Sequence, residues 1–227
     1  VITSDHNQHL KEIRRLGRRE ARARSGRFVA EGEDLLAAAD AAGWEPRERL
    51  RAGVEITPEA LASVSALGSG TRALAVYEQR WAAPCGPLCV ALWGVRDPGN
   101  VGTVLRSALA FGAASVALGP DTADPYGPKA VRASMGAIFG VPVARVAAAD
   151  ELPGEKVALV AREGEPLRGP LPGDATLVVG AEREGLPPEV VAACDRVAHI
   201  PIASESLNAA MAATIGLYEL SRVGSRP

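Results

Sequence analysis

Cysteine and histidine are scarce in this chain, with three of each among 227 residues. Cys85, Cys89 and Cys194 cannot all pair, and none sits in a Cys-x-x-Cys. The Cys85/Cys89 spacing also lacks the two further ligands that a zinc site needs. A disulfide framework and a cysteine-held metal are therefore excluded, and the thiols read as buried or incidental. His6 and His9 stand close together without a third ligand nearby, so they read as the solvated start of a helix. No apolar run approaches a membrane span, and no charged-then-apolar leader opens the sequence, so the expectation is a cytoplasmic protein without metal or membrane. The acidic Gly-x-Gly-x-Gly fingerprint is missing, which argues against an ordinary Rossmann enzyme. Gly68-Ser69-Gly70 has neither a preceding strand nor a Gly-Lys-Ser/Thr sequence, and reads as a turn rather than a phosphate loop.

Aromatic residues make up only 4%, whereas abundant Ala and Gly accompany an apolar content of 47%, a composition suited to an α/β protein of one or two domains. The net charge of −2 hides an asymmetry. Residues 1–27 carry Lys11, Arg14, Arg15, Arg18, Arg19, Arg22, Arg24 and Arg27 against Asp5, Glu12 and Glu20, a net +5 that leaves −7 for the remainder. A basic arm on an acidic body is a footprint for a polyanion, nucleic acid being the commonest.

His6 to Ala23 has no proline, spaces Lys11, Arg15, Arg18 and Arg22 helically, and carries a narrow strip of Leu10, Ile13 and Leu16, so one helix is predicted. A strand is expected over Arg27–Ala30, a helix over Glu33–Ala42 and a closing strand over Leu74–Tyr77. The stretch 81–87, rich in Pro and Gly, reads as a linker between a small basic unit at 1–80 and a larger unit at 88–227. In the larger unit, strands are predicted over Leu88–Trp93, Ser115–Leu118, Pro142–Val146, Val157–Ala161, Leu177–Gly180 and Val197–Ile200. Helices are predicted over Val101–Phe111, Lys129–Phe139, Pro188–Cys194 and Leu207–Arg222. Alternation of this kind implies a mostly parallel sheet. The last helix places Leu207, Met211, Ile215 and Tyr218 on one face, which is expected to pack.

Three polar blocks leave three of these strands: Asp97-Pro98-Gly99-Asn100-Val101-Gly102 running on to Arg106, Gly180-Ala181-Glu182-Arg183-Glu184-Gly185-Leu186, and Ile200-Pro201-Ile202 running on to Ser206-Leu207-Asn208. In an open α/β sheet such loops share one crevice. They deliver Asn, Arg, Glu, Ser and Asn, which position and polarise, as suits a group transfer whose electrophile arrives on a cofactor. Asn100 lies between glycines that let backbone approach a ligand, and is equally suited to a helix N-terminal turn. Arg106 interrupts an apolar helix, either reaching solvent or meeting an anion in the crevice. Glu182 reads as a cofactor-facing carboxylate or an exposed loop acid, and Ser206 as a site residue, a helix N-cap or both.

Four segments in order carry a family resemblance. The three blocks resemble motifs 1, 2 and 3 of the SpoU family of RNA ribose 2′-O-methyltransferases, the TrmH-like members of the knotted SPOUT class. Val131-Arg132-Ala133-Ser134-Met135-Gly136, continuing to Pro142, resembles the family's linking segment, and Phe28-Val29-Ala30-Glu31-Gly32 is similar to the start of the front RNA-binding domain. The resemblance implies an α/β fold whose mostly parallel sheet ends in a C-terminal trefoil knot, preceded by a small α/β L30e-like RNA-binding domain. It implies S-adenosylmethionine as cofactor, RNA as partner with ribosomal RNA favoured over transfer RNA, and a homodimer. Asn100, Arg106, Glu182, Ser206 and Asn208 become the catalytic set, and Gly180, Glu182, Gly185, Ile200, Ile202 and Leu207 the cofactor set. Lys11, Arg14, Arg15, Arg18, Arg19, Arg22 and Arg132 become RNA contacts. The family gives its arginine the task of activating the 2′-hydroxyl, sometimes as a base; a guanidinium pKa above ~12 favours phosphate holding and alkoxide stabilisation instead. Between Pro201 and Ser206 the chain is shorter than is usual in the family and lacks its Gly.

Three alternatives remain at this level: a transfer RNA-directed member, a catalytically silent RNA-binding protein on the same fold, and a nucleotide-dependent oxidoreductase. Five intact site residues weigh against the second, and the missing fingerprint against the third.

Overall fold

Alternating apolar runs and Gly- or Pro-started helices build two sheets in the computed structural model, which describes residues 1–4, 6–66 and 70–222. Gly68 and Ser69 of the expected turn lie outside the described residues. In the front unit, β1 (Arg27–Glu31), β3 (Ala73–Glu78) and β2 (Glu48–Arg51) form an antiparallel sheet in the order β1-β3-β2. Helices α1 (Gln8–Arg15), α2 (Arg19–Ser25), α3 (Glu33–Ala41) and α4 (Pro58–Val64) flank it. The single helix expected over His6–Ala23 is two. The chain breaks at Leu16–Arg18, where the Arg22 guanidinium donates to the carbonyls of Leu16 (2.8 Å) and Gly17 (3.0 Å). β2 and α4 carried no clear periodic signal.

The larger unit is a seven-stranded sheet in the order β6-β5-β4-β9-β7-β10-β8, with every pairing parallel. Its strands are β4 (Leu88–Leu92), β5 (Ser115–Leu118), β6 (Val143–Arg145), β7 (Glu155–Val160), β8 (Glu165–Pro166), β9 (Ala175–Val179) and β10 (Arg196–His199). β4, β5 and β9 are buried along their whole length, as continuous apolar runs in a covered parallel sheet should be. Its helices are α5 (Pro98–Ala110), α6 (Pro128–Ala133), α7 (Ala137–Gly140), α8 (Pro188–Ala192) and α9 (Ala209–Ser221). The helix expected over Lys129–Phe139 is interrupted, because Met135 (φ 49°) and Gly136 (φ 91°) leave the right-handed region. No helix among the described residues is long and apolar enough to cross a membrane.

The expected buried face of the last helix is corrected. Met211, Ile215 and Tyr218 are 61%, 40% and 53% exposed, while Ala209, Ala210, Ala213, Gly216, Leu217 and Leu220 are the buried stripe. Small residues let α9 lie close on the sheet: a Cβ on Gly216 would come within 2.5 Å of Leu177.

Six of the chain's few aromatic side chains join the two units. Phe28, Trp44 and Tyr77 of the front unit meet Tyr126 and Phe139 of the larger one, with ring centroids 4.7 Å apart for Phe28–Tyr126 and 5.1 Å for Tyr77–Phe139. Trp44 Nε1 donates to the Phe139 carbonyl at 3.0 Å. Trp81 packs edge-on to Tyr126 and beneath Arg145, and Ala82 N–H donates to Val143 at the sheet edge, so segment 81–87 is held rather than loose. The Tyr126 hydroxyl donates to the Arg80 carbonyl, and burial pushes its pKa up to about 12.

Cys89 is buried in β4, where desolvation raises its thiol pKa. Cys85 is exposed and Cys194 partly buried, and all three are free.

Candidate active site

The loops after β4 and β9 emerge from adjacent strands, and the loop after β10 returns from two strands away to start α9. Asp97 caps α5: its Oδ1 accepts from the N–H groups of Gly99 (2.6 Å) and Asn100 (3.2 Å). Its carboxyl is held below the ordinary range, first by the Lys129 ammonium at 2.8 Å and then by those amides. This pairing presents the first turn of α5, and Lys129 had no role in the sequence reading. Its only signal was its place one residue after the helix-starting Pro128.

Asn100 occupies the centre. Its Nδ2 donates to Glu182 Oε1, and its Oδ1 accepts from Asn208 Nδ2 at 3.2 Å. Asn208 Oδ1 accepts in turn from the N–H groups of Ala210 (2.9 Å) and Met211 (3.3 Å). The orientations of the Asn100 and Asn208 amides are therefore dictated: the N–H groups at the start of α9 can only donate, and a carboxylate can only accept. Asn208, not Ser206, is the N-cap of α9, which begins at Ala209 rather than Leu207. Ser206 is exposed in the preceding loop, its carbonyl accepting from Ser204 Oγ at 3.3 Å.

Gly180 ends β9 with no room for a side chain, since a Cβ would sit 2.3 Å from the Gly185 carbonyl carbon. Ala181 and Gly185 exchange backbone hydrogen bonds (3.2 and 3.0 Å), and Gly185 adopts φ 68°, closing a tight turn with Glu182 at its tip. Gly102 serves helix packing rather than ligand approach, as a Cβ there would lie 2.4 Å from the Ala130 carbonyl of α6. Ile200, Ile202 and Leu207 are half-buried along the third loop, and no backbone N–H of residues 202–207 donates a hydrogen bond among the described residues.

Arg106 is exposed on α5, and its guanidinium makes no hydrogen bond or ion pair among the described residues. Asn100, Glu182 and Asn208 are thus joined, while the side chains of Arg106 and Ser206 make no hydrogen bond to any of the three. Among the described residues no three His, Cys, Asp or Glu side chains gather as a metal site.

Of the expected RNA contacts, Lys11, Arg14, Arg15, Arg18, Arg19 and Arg132 are exposed. Arg22 is not among them. It is 4% exposed, with its Nη2 2.7 Å and Nε 2.9 Å from Asp124 of the larger unit, so its charge is spent inside the protein.

A parallel α/β sheet with polar loops converging beyond its strand ends, tied through side-chain amides, defines a ligand-binding α/β protein. Residues 87–218 match the SpoU rRNA Methylase family and residues 7–82 the MRM3-like substrate binding domain. The chain belongs to the SpoU family. It is 29% identical over 245 aligned residues to the 23S rRNA (guanosine(2553)-2′-O)-methyltransferase RlmP of Bacillus subtilis, covering 96% of this chain and 98% of that one. Its fold matches an AdoMet-bound rRNA methyltransferase from Sinorhizobium meliloti with a TM-score of 0.89 at 29% identity, over 100% of this chain and 98% of the other. It also matches the SpoU methyltransferase AviRb from Streptomyces viridochromogenes in complex with AdoMet, with a TM-score of 0.87 at 28% identity, over 97% and 100% of the two chains.

Proposed function

We infer that this protein methylates a ribose 2′-hydroxyl in RNA, ribosomal RNA in preference to transfer RNA, using S-adenosylmethionine. The observation that carries the reading is the directed chain Asn208–Asn100–Glu182, which locks three loops together. The third loop suits an adenosine: half-buried Ile200, Ile202 and Leu207 offer apolar contact, and its unspent backbone N–H groups offer hydrogen bonds. Gly180 and Gly185 with Glu182 would close the other side. When bound there, S-adenosylmethionine supplies an electrophilic methyl group. Arg106 holds the phosphate beside the target ribose and stabilises negative charge growing on the attacking oxygen, a guanidinium being a donor without an acceptor site. Asn100 fixes Glu182, so the polar groups are oriented before substrate arrives and proximity does the rest.

The same reading assigns residues 1–80 to RNA capture as an L30e-like unit, with Lys11, Arg14, Arg15, Arg18, Arg19 and, across the junction, Arg132 meeting phosphates. Residues 88–227 carry out transfer after the linker 81–87. A trefoil knot is consistent with β10 lying inside the sheet between β7 and β8, followed by α9 returning against α5. A second copy of the chain would cover Leu109, Met211, Ile215 and Tyr218, the exposed apolar face that α5 and α9 share. The same reading places the protein in the cytoplasm.

Incubation with methyl-labelled S-adenosylmethionine and unmodified ribosomal RNA tests the reading. Label should appear as a ribose-protected dinucleotide after alkaline hydrolysis. Transfer to transfer RNA alone would move the substrate, and binding of RNA without cofactor or transfer would make the chain a silent relative.

A further inference from the structure

The front unit holds a cleft of about 340 Å³ between α1, α2 and the sheet. Ile13, Leu16 and Val76 form an apolar floor, and Arg15, Arg24 and Arg27 stand exposed around it. None of these three guanidinium groups has a hydrogen bond or ion pair among the described residues. Cations of this kind suit phosphates, yet two carboxylates, Glu12 and Glu48, also line the cleft. Glu48 is the more enclosed, 29% exposed on β2, with His9 Nδ1 at 3.6 Å as its only ionic neighbour among the described residues.

Phosphate capture alone does not explain an acid in this place, because a carboxylate repels phosphate. A carboxylate accepts and never donates when ionised, so it calls for N–H groups. Within a single-stranded RNA, those come from the edge of an unpaired base. Guanine presents two adjacent donors, N1–H and N2–H, which match the two oxygens of one carboxylate. Uracil offers one N–H between two carbonyls that the acid would repel. The apolar floor receives the face of a base, and arginine planes are suited to stack on it while their charge meets flanking phosphates. The volume is near the lower end of ligand pockets, about 300 Å³ and up, sized for one base with its sugar rather than a duplex.

We propose that this cleft captures one unpaired guanine of the substrate RNA, with Glu48 accepting from its Watson–Crick edge and Arg15, Arg24 and Arg27 holding the neighbouring phosphates. The proposal rests on the RNA reading above and adds a base preference to it.

Fluorescence anisotropy with the full chain tests it, using a labelled uridine heptamer, the same strand with one central guanosine, and that strand with inosine, which lacks the N2 amino group. The guanosine strand should bind about tenfold more tightly than the uridine strand, as a bidentate base contact provides, with inosine between them. Glu48→Gln should bring the guanosine-to-uridine ratio close to one. Arg24→Gln with Arg27→Gln should keep the ratio but flatten the log–log salt slope by about 1.4, at ~0.7 per phosphate contact on a single strand. Circular dichroism and thermal melting of each variant confirm the fold. Equal binding of all three strands with a normal salt slope would overturn the guanine cleft and leave the RNA reading standing. A guanosine preference that survives Glu48→Gln would also overturn it, by placing the readout elsewhere. Failure of every strand to bind, with no transfer to ribosomal RNA, would remove both readings.

Discussion

Arg22→Ala should destabilise the protein far more than loss of a surface cation would. The Arg22 side chain is 5% exposed and that of Asp124 11%, and the guanidinium contributes four short contacts: two to Asp124 and one each to the carbonyls of Leu16 and Gly17. Truncation leaves the Asp124 carboxylate with the Tyr126 N–H at 3.0 Å as its remaining donor among the described residues, and strands the two carbonyls at the α1–α2 break. Removing one partner of a buried pair costs about 3–5 kcal/mol. Water entering the vacated space favours the lower end, about 3 kcal/mol. For a chain of this size, at roughly 2–4 °C per kcal/mol, the melting temperature should fall by about 6–12 °C. Thermal unfolding followed by circular dichroism at neutral pH reads this directly. The double variant Arg22→Met with Asp124→Leu should recover most of the loss, because no charge is then left buried. A shift below about 2 °C for Arg22→Ala, or a double variant as damaged as the sum of its singles, would refute the reasoning. Arg22→Met, measured where it remains folded, should also keep the salt dependence of RNA binding, which Arg15→Gln with Arg18→Gln should weaken.

Arg106→Ala should lower methyl transfer by ~10²–10³ while leaving S-adenosylmethionine affinity, measured by calorimetry, unchanged; near-normal turnover would remove Arg106 from the site. Asn208→Asp keeps the cap acceptor for α9 but loses the donor to Asn100, so activity should fall while melting temperature holds; Asn208→Ala should cost about 1 kcal/mol of stability as well. Asp97 has its folded pKa depressed, chiefly by Lys129, so its contribution is present above the ordinary carboxylate range and lost as pH falls through the depressed value. Asp97→Asn should therefore flatten the acid limb of melting temperature against pH, and an unchanged limb would count against that pairing. Ile215→Lys with Met211→Lys should turn a dimer into a monomer by light scattering without unfolding it, whereas a monomeric wild-type chain would leave the α5–α9 face without its second copy.

Strand positions could be read from the chain because β4, β5 and β9 are buried on both faces, and double burial writes itself as an unbroken apolar run. Helix ends and faces were harder. The spacing of Met211, Ile215 and Tyr218 marks an apolar stripe truly present, but spacing does not say what covers it. The stripe that meets the sheet runs from Ala209, Ala213 and Gly216 to Leu217 and Leu220, and its first turns are too small to stand out in a hydropathy pattern. The breaks at Gly17 and at Met135–Gly136 depend on tertiary contacts, as does the burial of Arg22, whose partner lies 102 residues away. The motif loops pointed to Asn100, Glu182 and Asn208, yet the direction of their hydrogen bonds needed the geometry. Arg106 and Ser206 show the converse, since the same loops pointed to them and neither side chain bonds to the three.

The aromatic seam has a bearing on redesign. Because Phe28, Trp44 and Tyr77 cover Tyr126 and Phe139, the front unit is not a cassette that can be exchanged to send the enzyme to another RNA. Each such ring buries roughly 150–250 Å², and a foreign front unit would leave that surface wet unless it reproduced the same five-ring fit. Deleting the unit has the same defect, so a fragment beginning near Leu88 would lose its cover. Retargeting is better attempted by recombining exposed charges on α1 and α2, with every ring of the seam kept in place.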